Sequence, residues 1–239
     1  EPVEIPEPEK VQRFLPAFEP HSIKFRASAP ESQAVAVLGG GPYSYFRYET
    51  HLAALQAVDV YAQVADEFES LFGRRYAPLE AYKCDDAEYL FLMMGSFATK
   101  AKSAVDRLRS SGWRIGLLRP CLLRPFPLAL IRRHLAGRRA VAVIDQNLCI
   151  GAGGVLHTEV SSALYGQPGA PPVLASFIGG LGGRDIAPEE FFEMAAVIRE
   201  AAETGGSPAP RLLYTDTELR EMHKLQAVAR VERRKLAEE

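Results

Sequence analysis

The side chains best placed for chemistry in this sequence stand where apolar runs give way to glycine. Ala140-Val-Ala-Val-Ile-Asp-Gln-Asn147 leads into Gly151-Ala-Gly-Gly154, and Val173 to Ile178 leads into Gly179-Gly-Leu-Gly-Gly-Arg-Asp-Ile186. Asp145 and Asn147 therefore close a run apolar enough for a strand covered on both faces, at the edge where open α/β sheets hold ligands. A glycine turn that opens a helix leaves backbone N–H groups at the positive end of the helix dipole, so Gly151, Gly153 and Gly154 suit an anion. The same glycines suit close packing of helix on sheet with no ligand involved. Arg184 and Asp185, beside Gly182 and Gly183, form an acid–base pair in name only. Guanidinium is a poor proton carrier, and bracing of the loop is the expected role.

A second arginine cluster lies in Arg119-Pro-Cys-Leu-Leu-Arg-Pro-Phe-Pro127. Its prolines fix φ and present Arg119, Arg124 and Phe126 in defined places. Guanidinium takes phosphate or carboxylate in a bidentate fork, but prolines remove the backbone donors that a phosphate site normally adds, which favours a structural or interface role. For acyl transfer, Cys149 and His157 are the nearby nucleophile and base, separated by a glycine turn, and nothing in the sequence requires them to meet. Cys84, Cys121 and Cys149 make no C-x-x-C pattern and read as separate reduced thiols, too few to hold an iron–sulphur cluster. The histidines are scattered without metal-ligand spacing.

Positioning these groups takes an alternation of strand and helix. Strands are expected over Tyr89–Met94, Arg114–Leu118, Ala140–Asp145 and Val173–Ile178, with a short edge strand over Leu212–Tyr214. The intervening helices carry inward stripes of Phe97, Ala101, Val105 and Leu108, then Leu128, Ile131 and Leu135. Leu156, Val160, Ala163 and Leu164 form the next, and Phe191, Ala195, Ile198 and Ala202 the last. Ser96 suits the cap of the first helix, and Pro127 and Pro188 suit first turns. The expected class is α/β, an open, mostly parallel sheet of about five strands with helices on both faces.

Ahead of this lies a proline-rich segment with isolated apolar residues, read as an extended arm and linker over 1–48. Within it, Ala34-Val-Ala-Val-Leu-Gly-Gly-Gly-Pro42 reads as a short strand and a turn, since it matches neither a dinucleotide fingerprint nor a P-loop. From Glu49, the residues Ala53, Ala57, Val60, Val64, Phe68 and Leu71 paint one face of a long helix that Gly73 ends. The α/β domain with this leading helix is expected over 49–214, followed by a charged helical tail over 215–239 with a narrow stripe of Leu219, Met222, Leu225 and Val228.

Composition is that of a soluble globular protein, 47% hydrophobic and 24% charged over 239 residues. A net charge of -2 gives no pull toward nucleic acid or a membrane surface. No apolar run approaches the ~20 residues that span a bilayer, and a cytoplasmic location is expected.

The order and spacing of Phe14-Leu-Pro-Ala-Phe18, Phe46-Arg-Tyr48, Phe72-Gly-Arg-Arg-Tyr76, Met94-Gly-Ser96, Arg124-Pro-Phe-Pro127 and the two glycine turns carry a resemblance. The chain resembles the carboxy-terminal half of the pyruvate-type chain of 2-oxoacid:ferredoxin oxidoreductases. The resemblance implies a domain shaped like the carboxy-terminal domain of transketolases. It also implies an assembly that decarboxylates a 2-oxoacid on thiamine diphosphate and Mg, passes electrons through iron–sulphur clusters to ferredoxin, and delivers the acyl group to coenzyme A. The large domain that helps form the thiamine site in that family is not in this sequence, which reads as a fragment or a processed chain. The expectation is therefore a noncatalytic structural and assembly domain that holds none of these cofactors alone and is partnered by thiamine-binding and ferredoxin-like subunits or domains. The alternative is an α/β domain that binds a small anion, a nucleotide or coenzyme A through the glycine turns and Arg119 or Arg124.

Overall fold

The proline-rich start is not wholly extended: Pro8–Phe14 forms a helix, α1. The composition argues against this, and two physical features reverse it. A proline stands in the first turn, where its missing N–H is not needed. At the other end Phe14 packs edge-on against Phe68 and Phe72, with ring centroids 5.3 and 5.8 Å away, which gives the short helix a half-buried anchor. The structure, a computed structural model, describes residues 4–15, 17, 26–30 and 40–238. The strand expected at Ala34–Leu38 lies outside these residues. The chain divides into two units, Glu1–Glu80 with Cys121–Pro127, and Ala81–Pro120 with Leu128–Glu239.

In the first unit the long helix, α2, runs over Gly40–Phe72 and so begins upstream of Glu49. Gly40, Gly41 and Pro42 make its first turn rather than a turn closing a strand. Gly73 ends it as expected, at a φ of 69° and with its N–H on the Glu69 carbonyl at 2.8 Å. The expected inward stripe is only partly covered. Ala57, Phe68 and Leu71 are half-buried, whereas Val60 and Val64 remain 55% and 44% exposed, and the buried residue of the helix is Ala65, outside that stripe. Residues 121–127 are tied into this unit because the N–H groups of Cys121 and Leu122 both donate to the Pro78 carbonyl, at 2.9 and 3.1 Å.

The second unit carries the sheet. β1 (Leu79–Tyr82) leads from one unit into the other, and β2 (Tyr89–Met93), α3 (Ala98–Ser110), β3 (Ile115–Pro120), α4 (Leu128–Leu135) and β4 (Ala140–Asp145) follow. Then come α5 (Val155–Leu164), β5 (Val173–Ile178), α6 (Pro188–Thr204), β6 (Arg211–Leu212) and α7 (Asp216–Glu238). The six strands lie in the order β1-β3-β2-β4-β5-β6, and the pairings from β3 through β6 are parallel. The class is the expected open, mostly parallel α/β sheet, with β1 as the additional strand. β1 has only one fully buried position in four and no apolar run to announce it.

β2 and β4 have no exposed position, as strands with helices on both faces require. On one face Phe91, Leu117, Ala142 and Phe177 meet α3 and α6 through Ala101, Val105, Phe191 and Ile198. The alternate strand residues face the other side, where α4 and α5 bury Ile131, Leu135, Val160 and Ala163. Leu128, expected inward, is 44% exposed because α4 begins at that residue and only its later turns reach the sheet. Ser96 does not cap α3 with its side chain; the helix starts at Ala98 behind Phe97, and the Ser96 carbonyl accepts the Thr99 N–H at 3.1 Å.

One buried polar atom stands out. Ser176 is 3% exposed, and its hydroxyl has no hydrogen-bond partner among the described residues. Ser176→Ala removes an unsatisfied group at little cost in volume. Thermal or denaturant melts are expected to show a gain of about 1 kcal/mol; a loss of similar size would mean that the hydroxyl is satisfied in solution.

Candidate functional site

The chain enters β3 on one side of β2 and later returns to lay β4 on the other. β2 exits to α3 on one face of the sheet, and β4 exits to α5 on the opposite face. Neighbouring exits that part in this way leave a crevice at the carboxyl edge, the usual ligand position in open α/β sheets. Here it holds about 230 Å³ and is lined by Met94, Gly95, Ile144, Asp145, Gln146, Asn147 and Leu156.

Asp145 is 1% exposed, and its carboxylate is engaged by neighbouring donors. Oδ1 accepts the N–H of Leu156 at 2.7 Å, and Oδ2 accepts that of His157 at 3.1 Å. It thus caps α5 from the end of β4, while Gly154 in the N-cap position contributes no side-chain bond. Asn147 completes the brace, since its Nδ2 donates to Asp145 Oδ1 at 3.1 Å and its Oδ1 accepts the Val155 N–H at 3.2 Å. The first-turn donors that would meet an anion are therefore already taken by side chains. Gly154 is required by this contact, because a Cβ there would overlap the Asp145 carboxylate. Gly151 and Gly153 have φ of 83° and 96° and open space around them, so backbone conformation is what they supply.

The exit of β5 is braced differently. Gly182 and Gly183 take φ of 64° and 85° and deliver Arg184 into a carboxylate clamp. Its Nη1 donates to Glu190 at 2.9 Å, and its Nε and Nη2 donate to the two oxygens of Glu218 at 2.6 and 2.8 Å. The clamp raises the Arg184 pKa, chiefly through the Glu218 hydrogen bonds, and the same guanidinium pushes Glu218 down to about 2. Glu190 also accepts the Ala187 N–H at 2.8 Å, so one arginine joins the first turn of α6 to the first turn of α7. Asp185 pairs with Lys100 of α3. Loop bracing, the expected role of Arg184 and Asp185, is what these contacts perform.

The arginine-rich loop is divided between the two units. Arg119 is half-buried on β3, whereas Arg124 and Phe126 belong to the first unit, where Arg124 donates to the Leu123 carbonyl at 2.9 Å. Cys149 is exposed in a tight turn that pairs it with Gly153, and the His157 ring lies beside the Leu174 carbonyl at 3.4 Å. Cys84 is buried with its thiol on the Leu117 carbonyl at 3.2 Å, and burial raises its pKa. None of the three cysteines is in a disulfide.

Residues 87–191 match the family model described as pyruvate:ferredoxin oxidoreductase core domain II. This α/β region belongs to that family. Across most of its length the chain is similar to pyruvate synthase subunit PorA of Pyrococcus abyssi, at 35% identity over 88% of this chain and 53% of that protein. Ketoisovalerate oxidoreductase subunit VorA of the same organism is 34% identical over 82% of this chain and 50% of its own length. The chain thus spans about half the length of the curated relatives it matches. Among solved structures, a split-gene transketolase in an inactive beta4 tetramer aligns with a TM-score of 0.41 at 16% identity, over 56% of this chain and 46% of that one.

In the second unit, four residues that hold the edge together escape a reading of the sequence. Gln146, between two residues singled out above, donates from Nε2 to the Met94 carbonyl at 2.8 Å and so ties the exit of β4 to that of β2. Lys100, Glu190 and Glu218 are the partners of the Arg184–Asp185 turn. Glu190 carried a local signal as an acid in a first turn behind proline, and Glu218 another as the last residue of Thr215-Asp-Thr-Glu218, a capping box in which Glu218 accepts the Thr215 N–H at 2.7 Å and the Thr215 hydroxyl accepts the Glu218 N–H at 3.2 Å.

Proposed function

We propose that this chain is the structural and assembly part of a thiamine-diphosphate-dependent 2-oxoacid:ferredoxin oxidoreductase, located in the cytoplasm, with pyruvate as the favoured oxoacid. The observation that carries the reading is the PorA similarity, sustained over 88% of the chain rather than confined to one motif. A noncatalytic role is supported by the edge itself, where Asp145, Asn147 and Arg184 are engaged in capping and clamping. Among the described residues no group of three or more His, Cys, Asp or Glu is gathered to hold a metal ion. In this reading thiamine diphosphate, Mg, the iron–sulphur clusters and coenzyme A belong to other domains or subunits of the assembly, through which ferredoxin is reached. PorA and VorA relatives match this chain about equally well, so the choice of oxoacid is assigned to those other parts as well.

The purified chain, given pyruvate, coenzyme A, thiamine diphosphate and magnesium, is expected to reduce no viologen dye. Dye reduction by the chain alone would overturn the reading. The crevice between the exits of β2 and β4 favours a second reading, a site for a small anion, nucleotide or coenzyme A. Calorimetric titration with coenzyme A and ADP separates the two, since heat at stoichiometric occupancy that Gln146→Ala weakens would favour the ligand site.

A further inference from the structure

A broad depression in the α/β unit lies away from the crevice, between α6, β6 and the start of α7, and holds about 590 Å³. Its floor is apolar, with Phe177 and Met194 fully buried beneath Val197 and Leu213, which reach the surface half-buried. Its rim is acidic, with five carboxylates against two guanidiniums. Three of those carboxylates are engaged, Glu190 and Glu218 by Arg184 and Asp185 by Lys100. Glu189 and Glu193 remain. Both are exposed, they stand one turn apart on α6, and neither has an ion-pair or hydrogen-bond partner among the described residues.

Like charges at that spacing on a helix repel each other, and a cation lodged between them would relieve the repulsion. The groove therefore combines an apolar floor, a net negative rim and two uncommitted carboxylates on one wall. The opposite wall is β6, the last strand of the sheet among the described residues. We propose that this groove docks a basic peptide segment of a protein partner. A lysine or arginine side chain sits between Glu189 and Glu193, and a neighbouring apolar side chain rests on Val197 and Leu213. Charge complementarity selects the basic segment over an acidic or neutral one, and the apolar floor selects a peptide over a simple cation. The proposal concerns a surface separate from the carboxyl-edge crevice and requires nothing of the thiamine chemistry.

The test is fluorescence anisotropy of a labelled Lys-Val-Lys-Leu-Lys-Val peptide with the full chain, alongside Glu-Val-Glu-Leu-Glu-Val and spermidine competition. Saturable binding of the basic peptide is expected. Glu189→Gln combined with Glu193→Gln should weaken it about three- to tenfold, and raising the salt to about 0.5 M should do the same. Both positions are exposed, so the double variant keeps the fold, and its unchanged circular dichroism serves as the control. The proposal is overturned by absence of saturation, by equal binding of the acidic peptide, by displacement with spermidine at the same concentration as unlabelled peptide, or by unchanged affinity in the double variant. Self-association of the chain that these substitutions abolish would assign the groove to a second copy and overturn it equally.

Discussion

Asp145→Ala is expected to cost the α/β unit about 3 kcal/mol. The carboxylate is sealed at the end of β4 and holds two first-turn N–H groups of α5, so its removal strands both donors away from water and deprives Asn147 of an acceptor. Asp145→Asn keeps the shape but turns an N–H group toward another N–H group, and an intermediate loss of about 2 kcal/mol follows. Gly154→Ala probes the same contact from the other side, because its methyl would overlap that carboxylate; its own loss is about 2 kcal/mol. The two sites share one cause, so Asp145→Ala with Gly154→Ala should be clearly less damaging than the sum of the singles in denaturant titrations. Strict additivity would mean that Gly154 serves something other than Asp145, and the anion reading of the turn would regain its force.

Arg184→Ala is expected to cost about 2 kcal/mol, most of it from leaving the nearly buried Glu190 carboxylate without its partner. Arg184→Lys should recover little, since a single ammonium cannot hold two carboxylates on different helices with the geometry of a guanidinium fork. The clamp also sets a pH dependence. Glu218 has its pKa depressed on folding from 4.5 to about 2. Its contribution is therefore fully present above about pH 4.5 and is lost as the pH falls through that window toward 2. In acid titrations the wild-type chain should lose stability more steeply between these limits than Arg184→Ala, and α7 should exchange its amides earlier than β4. Parallel acid profiles for the two proteins would show that the clamp adds nothing to folding.

What the sequence revealed follows the range over which each cause acts. β4 and β5 are legible because burial on both faces leaves uninterrupted apolar runs, and α5 and α6 because their stripes repeat with the helical period. Asp145, Asn147 and Arg184 could be picked out as residues at strand exits. Their partners could not, since Asp145 meets Leu156 only after the glycine turn folds back, and Arg184 reaches Glu218 across α6 and β6. α1 was hidden because its support is tertiary, the ring of Phe14 on Phe68 and Phe72. β1 was hidden for the opposite reason, being too short and too exposed to leave a periodic trace.

The segment 121–127 interrupts the α/β unit to rejoin the first unit through the Pro78 carbonyl. Its consequence is temporal. On the ribosome the amino-terminal unit, although synthesised first, stays incomplete until Pro127 has emerged, by which time β1, β2, α3 and β3 have been made. Neither unit can be finished before the other has begun, and no single proteolytic cut separates them into two intact pieces.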